Sequence, residues 1–327
     1  MMLEPKSQDA TESDNIIQVR NLAVEFYTET GRTKALQGVS FDVPRGQVTA
    51  IIGESGSGKS VTASAIMRLI QPPGRVMAGS IDFAPSGSEP YDVLALVDKD
   101  ARLDQLRGDH ISMVFQEPMT ALAPVYTVGN QVAEAILCHR EVSKEVAWDE
   151  AANMLQRVGI DDLQRRMHQY PFEFSGGMRQ RVVIAMALVC QPDLLICDEP
   201  TTALDVTIQA EILTLIRQLK GELNNSVLFI THDIGVVAQL ADHVVVMQGG
   251  RVLETGTVRQ VLKQPMHPYT KGLMAAIPGL APKGQRLATV ASVVGATDIT
   301  TAYPLTRLAD GRQISLSPSQ LKAFGHE

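Results

Sequence analysis

The sequence predicts an α/β fold, and three observations predict it. A glycine-rich loop stands between an apolar β-branched run and a helical one. Several short apolar strands end on polar or acidic residues. A long stretch in mid-chain carries helical periodicity. At 327 residues and 45% hydrophobic content the chain can bury one large domain or two smaller ones.

The loop is Gly53 to Ser60, written GESGSGKS, and it fits the spacing G-x-x-x-x-G-K-[ST]. Gln47 to Ile52 before it reads as a buried strand, and Lys59 to Leu69 after it has apolar residues at helical spacing. Glycines let successive backbone N–H groups turn inward on a phosphate, at a helix N-terminus whose dipole already favours anions. In such a cradle Lys59 reaches the β and γ phosphates of a nucleotide and the Ser60 hydroxyl binds Mg²⁺.

The remaining elements follow in chain order. Residues 1–15 are polar and acidic and read as a loose tail without the apolar core of a signal peptide. Ile17 to Phe26 alternates like an edge strand and Ala35 to Val43 like a second, with a turn around Gly31. Phe26 and Tyr27 close the first strand; alternation from Val24 favours Phe26 as a ring that could stack on a base. Ser80 to Phe83 is a short strand in a Gly, Pro and Ser-rich stretch, Asp98 to Leu106 a charged surface helix, and His110 to Phe115 a strand that ends on Gln116.

Thr127 to about Arg166 is helical and reads as an inserted subdomain. Phe174-Ser-Gly-Gly-Met-Arg-Gln-Arg181 then opens a helix from Met178 to Val189, a second candidate anion site at a helix N-terminus. Glycines in such a loop more often supply turn geometry alone. Asp193 to Glu199 is an apolar strand that delivers two carboxylates at its end, a pattern that places Asp198 near Mg²⁺ and Glu199 beside a terminal phosphate. Val206 to Leu219 is a helix, and Ser226 to Thr231 a buried strand that ends at His232. His243 to Gly256 reads as a hairpin around Gly249-Gly250, and Thr257 to Lys263 as a short helix. Past Pro265 the composition shifts to a small appendage, with a helix from His267 to Pro278 and Val293, Val294 and Ile299 as candidate strand residues.

The formal charge of −7 argues against a broad basic surface that would hold nucleic acid. The longest unbroken apolar run, Val182 to Cys190, is far short of the roughly 20 residues that span a bilayer. Cys138, Cys190 and Cys197 form neither a disulfide framework nor a metal-ligand spacing, so a reducing cytoplasm is the simplest home.

Taken together, these motifs resemble the nucleotide-binding subunit of ATP-binding-cassette transporters, over about Ile16 to Ile277. The resemblance implies a P-loop NTPase with a RecA-like core, an antiparallel β subdomain and an inserted helical subdomain at about 119–185. It implies an ATPase domain over 16–264 and an extension over 265–327. ATP and Mg²⁺ are the implied cofactors. Gly53, Glu54, Ser55, Gly56, Ser57, Gly58, Lys59 and Ser60 form the Walker A loop, Val61 beside it is a further nucleotide-binding position, Phe26 matches the adenine-stacking aromatic, and Gln116 is the Q-loop glutamine. Ser175, Gly176 and Gly177 are the signature, Asp198 and Glu199 the Walker B pair, Ala203-Leu204-Asp205 the D-loop and His232 the switch histidine. Lys59, Gln116, Glu199 and His232 would be catalytic, and Ser60, Gln116 and Asp198 would hold the metal.

GESGSGKS, FQEPMTAL, YPFEFSGGMRQR, DEPTTALDVT and HPYTKGL look like the ATPases of bacterial oligopeptide, dipeptide and nickel importers. Many relatives carry a cysteine-rich tail with an iron–sulfur cluster; no cysteine here lies past Cys197, so no cluster is expected. The implied partners are two membrane-spanning permease subunits, a second cassette subunit that in this branch is usually a paralogue, and, indirectly, a periplasmic or lipid-anchored solute-binding protein. Nucleic acid is not among them. The implied location is the cytoplasmic face of the bacterial inner membrane. Cassette ATPases that act on DNA or ribosomes usually carry two cassettes, coiled-coil inserts or zinc modules, none of which is read here; retention of Glu199 and His232 speaks against a nonhydrolysing cassette.

Overall fold

In the computed structural model, residues 14–29, 31–116, 121–202, 204–276, 292, 294, 301 and 303–323 are described. The loose tail read over 1–15 lies outside them except for Asp14 and Asn15, and Asn15 already belongs to the first strand.

Strands rich in Val, Ile and Leu, with side chains alternating between faces, build two sheets. Among the described residues the larger has eight strands, in the order β11-β12-β10-β9-β3-β8-β7-β6. Its centre is β3 (Val48–Ile52), parallel to β8 (Ser226–Ile230) and β9 (His243–Gln248); β7 (Leu194–Asp198) runs parallel between β8 and β6 (Ile111–Val114). Period-two alternation divides each central strand between two cores. In β7, Leu195 and Cys197 face one and Leu194 and Ile196 the other; in β8, Val227 and Phe229 separate from Leu228 and Ile230 in the same way. All five residues of β3, of β7 and of β8 are buried, as expected of parallel strands covered on both faces.

The second sheet, in the order β2-β1-β4-β5, packs onto one face and shares its core. It is made of β1 (Asn15–Thr28), β2 (Gly31–Pro44), β4 (Gly74–Phe83) and β5 (Tyr91–Asp92), all antiparallel. This corrects the reading of β1 as an edge strand, because it pairs with β2 on one side and β4 on the other. Register shifts at Val19/Leu22 and Val24/Glu25 break its alternation and bury Val24 and Glu25 in succession.

Helices α1 (Lys59–Ile66) and α2 (Ala101–Leu106) belong to this side. The other face carries α3 (Val128–Leu137), α4 (Lys144–Arg157), α5 (Leu163–Arg166) and α6 (Gly176–Leu188), the inserted helices expected from the periodicity. Val128, Val132 and Ile136 of α3 and Ala147, Ala151, Met154 and Leu155 of α4 are buried in one cluster with Val182 and Ile184 of α6. Helices α7 (Val206–Leu223) and α8 (Ile234–Leu240) flank β8, each capped by an aspartate, Asp205 and Asp233, whose carboxylate accepts first-turn N–H groups.

The hairpin of β9 and β10 (Arg251–Thr257) forms as read and leads to α9 (Val258–Lys263) and α10 (Pro268–Ala275). Beyond it the expectation fails in part. Val294 is helical rather than extended, and Val293 and Ile299 lie outside the described residues. The strands of this region are β11 (Leu305–Arg307) and β12 (Gln313–Ser315), followed by α11 (Pro318–Ala323); β12 pairs with β10, so the extension adds two strands to the central sheet. Short strands among polar residues give a weak periodic signal, which is why the sequence missed them.

Candidate nucleotide site

The C-terminal ends of β3, β6, β7 and β8 converge, where open α/β sheets place their ligands. From β3 comes the glycine-rich loop, from β6 Gln116, from β7 Asp198 and Glu199, from β8 His232. A cleft of about 500 Å³ is lined by Ala35, Glu54, Ser55, Gly56, Gly58, Lys59, Ser60, Val61, Gln116, Glu199 and His232. Sequence order separates these groups by more than half the chain; the sheet brings them to one rim.

The loop is held tightly. Gly58 has φ +100 and passes so close to Leu36 and the Ala35 carbonyl that no Cβ would fit, which explains the glycine. Ser57 is buried, its carbonyl accepting the Gly250 N–H from the β9–β10 turn. The Lys59 ammonium donates to the carbonyls of Gly53 (2.9 Å) and Glu54 (3.0 Å). Burial pulls it below the ordinary lysine range, opposed by Glu199 and Asp198. A partly desolvated cation at a loop of inward amides is a strong attractor for phosphate.

Behind the loop, Ser60 Oγ donates to Asp198 Oδ1 at 3.0 Å. Burial raises the Asp198 carboxyl above the usual carboxylate range, and the Glu199 charge adds to it, while the Ser60 bond and Lys59 oppose. Glu199 follows with φ +47, a left-handed conformation rare for a residue with a side chain, and its N–H is fixed by the Ile230 carbonyl at 2.9 Å. Three side chains meet its Oε2: Thr202 Oγ1 at 3.0 Å, His232 Nδ1 at 3.2 Å and Gln116 Nε2 at 3.4 Å. Thr202 was missed by sequence reasoning. The available signal was a hydroxyl three residues past the acidic pair, in a turn.

Two expected parts stand elsewhere. Phe26 does not line the cleft; it packs against the core under the smaller sheet, its ring on Gly74 and so close that a Cβ there would collide. Ser175, Gly176 and Gly177 start α6 in the helical region, with Ser175 Oγ accepting the Met178 N–H at 3.3 Å, and none of the three lines the cleft. Ser175 and Gly176 are exposed. Of the D-loop, Ala203 lies outside the described residues, while Asp205 caps α7.

Residues 36–202, which hold the phosphate-binding loop, the serine–glycine helix start and the acidic strand end, match the model of the ABC transporter family. The chain belongs to that family. Residues 253–300 match a second model, the oligopeptide/dipeptide transporter C-terminal region. The dipeptide transport ATP-binding protein DppD of Bacillus subtilis (strain 168) is 51% identical over 275 residues, 84% of this chain and 80% of that protein. The oligopeptide transport ATP-binding protein OppD of the same organism is 50% identical over 271 residues, covering 83% and 74%. Among solved structures, a dimeric, post-hydrolysis form of the ATP-binding cassette MJ0796 bound to ADP and Pi superposes with a TM-score of 0.64 at 26% identity, over 74% of this chain and 99% of that one. As an ABC transporter ATP-binding protein, the chain is an ATPase with the cassette fold. No helix among the described residues is long and apolar enough to cross a membrane.

Proposed function

We propose that this chain is the ATP-hydrolysing subunit of a bacterial importer for short peptides, working on the cytoplasmic face of the membrane. The observation that carries it is the joint match of cassette and C-terminal region to peptide-import ATPases at about half identity. The cassette over 16–264 would bind nucleotide, and the extension over 265–327 would mark the branch. The partners are two permease subunits, a second cassette and a solute-binding protein outside.

In this reading Lys59 and the backbone amides of the loop, other than the Glu54 N–H that Tyr269 holds, receive the phosphates in the cleft. Ser60 Oγ and Asp198 Oδ1, 3.0 Å apart, are hard oxygen donors of the kind Mg²⁺ takes, with Gln116 at the rim as the third candidate ligand. Bound there, Mg²⁺ would supply charge neutralisation to the phosphate oxygens. Glu199 is the general base for the attacking water. Its carboxylate is aimed by Thr202, His232 and Gln116, so reorientation during reaction is small. His232 is placed to meet the γ-phosphate.

Ser175, Gly176 and Gly177 serve a second nucleotide, in the partner cassette, and the partner's equivalent completes this one. Closure that requires ATP and opening that follows hydrolysis then turn ligand preference into movement of the permease. Reconstituted vesicles test the whole reading. ATP turnover should rise several-fold when a peptide-loaded binding protein is enclosed on the far side, and stimulation by a non-peptide cargo alone contradicts the substrate class.

A further inference from the structure

A run of buried polar contacts joins the C-terminal extension to the phosphate loop. Arg312, just before β12, is 3% exposed and donates to the Gln264 carbonyl and Asp310 Oδ2, each at 2.8 Å; it lies 3.4 Å from Glu254 Oε1. Glu254 is 0% exposed, and its carboxylate accepts the N–H groups of Met266 and His267, both at 3.0 Å. His267 caps α10, its Nδ1 accepting the Tyr269 N–H at 3.1 Å. Burial lowers this imidazole to about 4, which keeps the ring neutral and Nδ1 free to accept. At the end of the run the fully buried Tyr269 accepts the Glu54 N–H on its hydroxyl at 3.2 Å.

That last contact bears on Lys59. The Gly53 carbonyl and the Glu54 N–H belong to one rigid trans peptide plane and point in opposite directions. Tyr269 holds the N–H, and the Lys59 ammonium holds the carbonyl at 2.9 Å. Gly53 is pressed against the Met247 carbonyl, where no Cβ would fit, so the pivot of this plane has to be the most permissive residue. Something other than backbone preference must fix the plane's rotation. The Tyr269 hydroxyl does so from outside the cleft.

We infer that Tyr269 is a positioning residue for the nucleotide site: by holding the 53–54 peptide plane it sets where the Lys59 ammonium stands, and the C-terminal extension thereby tunes affinity for ATP. The inference rests on the reading that the cleft binds ATP. Burial pushes the phenol up to about 12, so the hydroxyl is neutral throughout the working range.

Tyr269→Phe keeps the ring and deletes the acceptor. With the purified full-length chain, equilibrium titration with ATP and Mg²⁺ should give a Kd raised roughly fivefold, the scale of one lost hydrogen bond. In the nucleotide-free wild type the Glu54 amide should exchange hydrogen slowly, and in the variant quickly. A folded Tyr269→Phe that binds ATP as tightly as wild type overturns the inference. So does a wild-type Glu54 amide that exchanges as freely as an open loop, a readout that stands even if the variant fails to fold. A wild type that binds no ATP removes the functional reading along with it.

Discussion

The cleft and the serine–glycine helix start, the two surfaces proposed to meet nucleotide, are built differently. The floor of the cleft at the strand ends is buried and cross-linked by hydrogen bonds from four strands, with Asp198 and Lys59 each 5% exposed, while Glu54, Ser55, Gly56, Ser60, Gln116 and His232 at its mouth are open. At the serine–glycine start of α6, Ser175 and Gly176 are open to solvent; Ser175 Oγ caps its own helix and Gly177 lies against Ile208. A catalytic centre must be preorganised, whereas a surface that has to meet a second subunit and part from it each cycle must stay accessible. On the proposed function, one chain carries two unlike half-sites.

The largest effect should come from breaking the buried side. Glu199→Gln should lower ATP turnover about a thousandfold, the scale of losing a positioned general base, while ATP binding measured by equilibrium titration is retained. Substituting the open side sharpens the contrast. Ser175→Arg should reduce turnover of the assembled transporter by roughly a hundredfold, as for loss of a transition-state donor, and leave ATP affinity of the isolated chain unchanged. If that affinity falls as well, the two surfaces are not separate.

A smaller effect is expected at Thr202, which touches Glu199 and no other charged group among the described contacts. Thr202→Ala should lower kcat about fivefold with little change in KM, the cost of one orienting hydrogen bond. The smallest concerns neither surface but the junction behind them. His110 Nδ1 and Asp193 Oδ2 are 2.8 Å apart. The bond to Asp193 raises the His110 pKa, against burial. Burial would raise Asp193, but bonds from His110 and Ser86 prevail and lower it. A raised histidine contributes stability below its unfolded pKa, near 6.5, and loses it as pH climbs through the folded value; a lowered aspartate contributes above about 3.9 and loses it in acid. The pair therefore stabilises most between those limits. Asp193→Asn should cost about 1 kcal/mol at pH 5.5 by thermal or urea unfolding, and the gap should narrow toward pH 9.

Much of the buried half-site was legible because each part is local. A strand, eight loop residues and a helix are contiguous, Asp198-Glu199 sits at the end of an unbroken apolar run, and His232 follows another. What was not legible depends on distance. Tyr269 meets Glu54 from 215 residues away, and no spacing rule connects a tyrosine in a Pro-bounded helix with a loop amide. The interior place of β1 was hidden by bulges that break its alternation, and β11 and β12 by their three-residue length. Phe26 was picked by alternation, which tells which face a ring is on but not whether that face meets the cleft.

On the proposed function, nucleotide in this cleft is hydrolysed only when a second cassette covers it. Turnover per chain, measured on the purified protein at concentrations where light scattering finds monomer and again after adding the partner cassette or assembled transporter, tests this directly. Bound ATP and almost no turnover are expected in the monomer, with hydrolysis appearing on assembly. Full turnover per chain in the dilute monomer would contradict it.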